Sequence, residues 1–210
     1  MLPEIIKVCG ITRVEDALYA VREGATALGF NFYPGSPRYV DFGRGAILSS
    51  VVPRSVLRVG VFVDEAADRI IETAHAVGLD VIQLHGSETP HDCELLAPLR
   101  VWKGVRVTEG WTPNVLGDYP CEAFLLDAAG ENGAWGGTGR TFPWEVARQA
   151  APYGKIIIAG GLDGGNVEQA IRMAAPWGVD ASSRLERSPG VKDPEKVRAY
   201  LQGARKGENA

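Results

Sequence analysis

Short apolar runs, many closing on a single reactive or small polar residue, recur along the chain and alternate with stretches of helical spacing. The runs predict strands over residues 5–9, 27–32, 57–62, 81–85, 101–107, 123–127, 155–159 and 178–182. In the first intervening stretch Val14, Ala17, Leu18 and Val21 share a helical face, with Thr12 as N-cap and Glu15 three residues on. Asp64 is read as opening the next clear helix, with Ala67, Ile70, Ile71 and Ala74 on one face and Gly78 closing it. Ser87 precedes Glu94, Leu95 and Leu96, and Asn166 precedes Val167, Ala170, Ile171 and Ala174. Asp193-Pro194 opens the last helix with proline at its first position. Helices over 42–51 and 111–116 are placed because the alternation requires them.

Eight strands alternating with eight helical stretches, at about 25 residues per unit, suit a parallel sheet closed into a (β/α)8 TIM barrel. The reading is therefore a compact α/β fold, one barrel domain over residues 1–210 with a frayed tail over 206–210. An open doubly wound sheet competes, but such sheets usually have about six strands. In a barrel, chemistry sits on the loops after the strands' C-terminal ends. Here those ends carry Cys9, the 33–39 loop, Asp64, His85, Arg106, Asp127, Gly160-Gly161 and Ser182-Ser183.

Composition narrows the function. The chain has 210 residues, 45% of them hydrophobic and 23% charged, as in ordinary soluble proteins. A net charge of −4 argues against nucleic acid as a partner, so an anionic ligand must be held by local geometry. No apolar run approaches the roughly 20 residues needed to cross a bilayer, and the N-terminus lacks the pattern of a signal peptide. Three cysteines, Cys9, Cys93 and Cys121, far apart and without a Cys-x-x-Cys pair, favour a reducing cytoplasm over a disulfide framework or a zinc site. A monomer and a homodimer both fit these bounds.

Cys9 reads either as a small buried hydrophobe or as a base. Lys7, two residues earlier on the same strand face, would favour a thiolate able to accept a proton from a carbon acid. Asp127 ends the run Phe124-Leu125-Leu126. It reads as a helix N-cap, as an ion-pair partner of Arg140 or Lys103, or as a desolvated general acid. The glycines of Gly136-Gly137-Thr138-Gly139-Arg140 fit neither a Walker nor a Rossmann pattern. With Gly160-Gly161 and Ser182-Ser183 they suggest a phosphate cradle of the kind barrels build after their last strands. Arg38, on the proline-stiffened loop Tyr33-Pro34-Gly35-Ser36-Pro37-Arg38-Tyr39, could grip a carboxylate bidentately. No metal-ligand spacing is present among His75, His85 and His91.

Taken in order, Lys7-Val8-Cys9-Gly10-Ile11-Thr12, Ser36-Pro37-Arg38-Tyr39, Gln83-Leu84-His85-Gly86, Leu126-Asp127, Gly136-Gly137-Thr138-Gly139-Arg140, Ala159-Gly160-Gly161-Leu162 and Val179-Asp180-Ala181-Ser182-Ser183 closely resemble the phosphoribosylanthranilate isomerases of tryptophan biosynthesis. The resemblance runs from about residue 5 to residue 200. It implies a (β/α)8 barrel that performs an Amadori rearrangement on a phosphorylated small molecule, with no cofactor and no metal. It also implies Asp127 as general acid and Cys9 as general base. Arg38, His85 and Asp180 would lie near the substrate, and Gly137, Gly139, Gly161 and Ser183 at its phosphate. The family often has glycine where this chain has Arg184, which would lose that backbone freedom but offer a cation at the phosphate end. Two alternatives remain: the related histidine-pathway aminoaldose isomerase, which resembles two half-barrels with aspartate where this chain has Cys9 (or a bifunctional enzyme serving both pathways), and a non-catalytic phosphate binder on the same fold.

Overall fold

Period-2 burial shapes the molecule. On β1 (Ile5–Cys9), Ile6 and Val8 pack outward while Ile5, Lys7 and Cys9 face inward; on β6 (Ala123–Ala128), Phe124 and Leu126 pack outward while Ala123, Leu125 and Asp127 face inward. The same alternation runs through β2 (Ala27–Asn31), β3 (Leu57–Phe62), β4 (Val81–Leu84), β5 (Val101–Val107), β7 (Lys155–Ile158) and β8 (Gly178–Ala181). A computed structural model describes residues 2–128 and 142–206, and in it these eight strands pair in parallel, in chain order, into a closed barrel. Closure comes from β1 against β8, with Lys7 opposite Asp180. Residues 129–141, which include the sequence-predicted Gly137, Gly139 and Arg140, and residues 207–210 of the expected frayed tail lie outside the described residues.

The outward faces bury against the helices α1 (Val14–Glu23), α2 (Phe42–Ser50), α3 (Ala67–Val77), α4 (Pro90–Glu94), α5 (Glu145–Ala150), α6 (Val167–Ala174) and α7 (Pro194–Lys206). The strands match their predicted spans to within a residue. The predicted helix over 111–116 is instead a 3-10 stretch, Pro113–Asp118, which contains Pro113 and Gly117. Three predicted helix starts are also corrected. Thr12 donates to the Gly190 carbonyl instead of capping α1, which starts behind Arg13. Asp64 accepts from the Ser87 backbone and hydroxyl, and α3 starts behind Ala66. Thr89, not Ser87, caps α4, in a reciprocal capping box with Asp92. Asp193 does cap α7, accepting from the backbone of Glu195 and Lys196. Lys206, expected in the tail, is the last residue of that helix.

Inside the barrel the two ends differ. At the strands' N-terminal end, Ile5, Val59, Val81, Trp102, Leu125 and Ile157 form an apolar plug, with Trp177 packed edge-on against Trp102 at 5.7 Å. Toward the C-terminal end the inward positions turn polar: Lys7, Cys9, Gln83, Asp127 and Asp180. Cys93 and Cys121, distant in sequence, bring their sulfurs to 3.3 Å as free thiols. No helix among the described residues is long and apolar enough to cross a membrane.

Candidate active site

The polar end of the barrel opens into a cleft at the strands' C-terminal ends. It is lined by Cys9, Arg38, His85, Asp127, Gly161, Asp180, Ser183 and Arg184. Every sequence-predicted site residue within the described part of the chain therefore reaches one cavity, although they come from six different strand-to-helix connections or strand ends. Among the described residues no cluster of three or more His, Cys, Asp or Glu is arranged to hold a metal ion.

Cys9, at the end of β1, is partly exposed to this cleft. Lys7 is fully buried beneath it and lies 3.0 Å from Asp180 across the barrel's closing seam. Burial is the largest influence on the Cys9 thiol and pushes it up, outweighing the pull of Lys7 in the opposite direction; Asp180 adds to the upward push. The sequence expectation that Lys7 favours the thiolate thus holds for the sign of the cation's contribution but not for the net result. On Lys7 itself burial pulls down, and Asp180 together with Cys9 overcomes it, so the ammonium is held charged above its ordinary range. The buried hydroxyl of Tyr200 donates to the Lys7 carbonyl at 3.2 Å, fixing the strand from its outer side.

Asp127 is the penultimate residue of β6, with its side chain almost wholly buried. Lys103, one of its predicted ion-pair partners, instead binds Glu88 at 2.7 Å on the barrel's outer side, and Arg140 lies outside the described residues. His85 supplies the described contact: its Nε2 lies 3.4 Å from Asp127 Oδ2. Gly160, with φ of 79°, lets the β7 loop close over the carboxyl, because a Cβ there would come within 2.7 Å of Asp127 Oδ1 and of the Ala128 backbone nitrogen.

Arg38 does make the bidentate carboxylate contact its loop suggested, but with the protein's own Glu186: Nε to Oε1 at 2.8 Å and Nη2 to Oε2 at 2.9 Å. Glu186 also receives buried Lys192 at 2.9 Å, so one carboxylate is shared by two cations. Glu186 and Lys192 escaped the sequence reading because 148 residues separate Arg38 from Glu186. At the remaining rim, Asn166 donates to the Gly161 carbonyl at 2.8 Å and steadies the glycine loop. Ser183 and Arg184 sit in a 3-10 turn, Ser183–Leu185, and Arg184 is not among the residues with positive φ, so its backbone needs no glycine. Its guanidinium reaches Asp163 at 2.9 Å.

The profile of the N-(5'-phosphoribosyl)anthranilate (PRA) isomerase family matches residues 6–203. An N-(5'-phosphoribosyl)anthranilate isomerase of Solibacter usitatus is 46% identical, over 96% of this chain and 97% of its own length. The crystal structure of phosphoribosyl anthranilate isomerase from Thermus thermophilus superposes with a TM-score of 0.88 at 34% identity, covering 96% of this chain and 98% of that one. A second phosphoribosyl anthranilate isomerase structure, in complex with reduced 1-(o-carboxyphenylamino)-1-deoxyribulose 5-phosphate, superposes with a TM-score of 0.84 at 33% identity over 98% and 100% of the two chains. With nearly the whole chain matched in both sequence and fold, this protein belongs to the N-(5'-phosphoribosyl)anthranilate isomerase family.

Proposed function

We propose that this chain converts N-(5'-phosphoribosyl)anthranilate to 1-(2-carboxyphenylamino)-1-deoxyribulose 5-phosphate, the isomerisation step of tryptophan biosynthesis, with Asp127 as general acid and Cys9 as general base. Asp127 gives a proton to the furanose ring oxygen while the anilino nitrogen's electron pair expels it, opening the ring to a Schiff base. Cys9 then removes the C2′ proton, and the resulting enolamine tautomerises to the ketone. The sequence only redistributes protons and electron pairs within one molecule, so it calls for no electron acceptor.

The observation that carries this reading is the convergence of a thiol from β1 and a carboxyl from β6 on one cleft. The charge around each group suits its part. Lys7 supports the thiolate as it forms, and His85 can donate to the carboxylate that Asp127 becomes. Arg38, steadied by Glu186, offers its remaining amino group to the anthranilate carboxylate, with Asp180 beside Lys7 completing the polar floor. Gly161, Ser183 and Arg184 border the phosphate end, joined in this reading by Gly137 and Gly139.

Incubation of the purified chain with N-(5'-phosphoribosyl)anthranilate tests the reading. Substrate fluorescence should disappear at a rate proportional to enzyme, with a product that co-elutes with the authentic ketone. Loss no faster than in buffer would refute it.

A further inference from the structure

His85 belongs to the end of β4 and Asp127 to β6, yet β5 lies between those strands. The imidazole crosses β5 because Gly104 leaves room: a Cβ there would sit 2.4 Å from His85 Nδ1 and 3.0 Å from its Cε1. Any side chain at that point of β5 would push the ring off its path to Asp127. On its other side the ring meets Gln83, two residues back on β4, whose Nε2 lies 3.0 Å from His85 Nδ1. Gln83 is only 1% exposed, and its Oε1 has no hydrogen-bond partner among the described residues. A buried amide held with one end unpaired is unfavourable unless its other end does something a hydrocarbon could not. The apolar plug directly below shows that aliphatic side chains fill this barrel well.

We infer that Gln83 is a positioning residue for Asp127: its amide N–H donates to His85 Nδ1, fixes the neutral imidazole as the Nε2–H tautomer, and so aims a hydrogen-bond donor across β5 at Asp127 Oδ2. The inference rests on the reading of Asp127 as general acid and adds how that acid is oriented. A neutral imidazole has one N–H and one bare nitrogen, so whatever binds one nitrogen decides what the other presents. With Nδ1 occupied by a donor, Nε2 carries the hydrogen throughout the cycle and supports the carboxylate left when the proton goes to the ring oxygen. The reversed array, with Nδ1–H donating to Gln83 Oε1, would leave Nε2 bare. It would then hold the acid's proton between Oδ2 and the imidazole, where leaving for substrate requires breaking that bond.

The test reads the tautomer without substrate, so it stands apart from the isomerase assay. Long-range 1H–15N correlation spectra of the 15N-labelled chain at pH 8 report which ring nitrogen of each of the three histidines is protonated, and His85→Gln identifies the His85 signals. His75 and His91 are exposed and serve as internal references. The wild type should show Nε2–H with Nδ1 bare at His85. Gln83→Leu should release this into a mixture of tautomers, and Gln83→Glu, which offers only an acceptor, should move the proton to Nδ1. In turnover, Gln83→Leu should lower kcat about 10-fold while KM stays within about 2-fold, as for a catalytic group slightly misaimed. Nδ1–H in the wild type would overturn the inference, and that measurement needs no variant to fold. So would an unchanged tautomer or unchanged kcat in a folded Gln83→Leu. Absence of wild-type turnover would instead refute the proposed reaction and leave the tautomer result to decide the array.

Discussion

The two ends of the barrel interior are built from the same eight strands by the same alternation, yet one is apolar and the other polar. At the N-terminal end the inward positions are Ile5, Val59, Trp102, Leu125 and Ile157, tightly buried and apolar. One or two inward steps along the same strands, β1 has passed to Lys7 and Cys9, β4 from Val81 to Gln83 and β6 from Leu125 to Asp127. The lower end supplies stability that needs no particular chemistry, and that rigid floor holds the buried Lys7–Asp180 pair in place. The upper end accepts unfavourable groups, including two buried oxygens, on Gln83 and Asp127, without partners among the described residues. Function here is a matter of depth along a strand and of what surrounds each group at that depth.

This division makes graded predictions. The largest effect belongs to the floor. Trp102→Ala should cost about 3–5 kcal/mol of stability, visible as a lowered melting temperature, while KM of the fraction still folded at low temperature is unchanged. A melting temperature within about 2 °C of wild type would mean that the plug is not what holds the barrel. Next is the cation under the thiol. Because Lys7 pulls Cys9 downward against burial, Lys7→Met should push the thiol further up, so less thiolate is present at any given pH. The thiolate absorbance of Cys9, taken as the difference from Cys9→Ala, should appear at higher pH in the variant than in wild type. An unmoved profile would separate Lys7 from the base. The smallest effect is at the rim, where Arg184 is half-exposed and already engaged by Asp163. Arg184→Gly should weaken substrate binding only about 2- to 5-fold at low salt, a gap that closes as ionic strength rises. Tighter binding with an unchanged salt dependence would show that the arginine does not serve the phosphate.

Much of this was legible in the chain because the barrel's logic is local. Each strand declares itself as an apolar run, and the residue at its end is the one delivered to the rim, which is how Cys9, His85, Asp127, Gly161 and Ser183 could be named before any coordinates. What escaped depends on partners remote in sequence. Thr12 and Asp64 look like caps, but tertiary partners, the Gly190 carbonyl and Ser87, claim their side chains first. Pro113 and Gly117 leave the β5–β6 connection a 3-10 stretch where alternation alone suggested a helix. The net state of Cys9 could not be judged from its neighbour Lys7, since burial outweighs it. Glu186 on Arg38 has no signal in spacing. Gln83 did leave one, a polar residue at an inward strand position two before His85, and Gly104 left another, a glycine inside a strand.

The most direct measurement is single-variant turnover of N-(5'-phosphoribosyl)anthranilate, followed by its fluorescence, for wild type, Cys9→Ala and Asp127→Asn. A thiol base and a carboxyl acid acting on one substrate predict that each replacement lowers kcat by at least about 10²-fold while the melting temperature stays close to wild type. Near-normal turnover by either folded variant would contradict the account, because that group would then border the cleft without taking part in the chemistry.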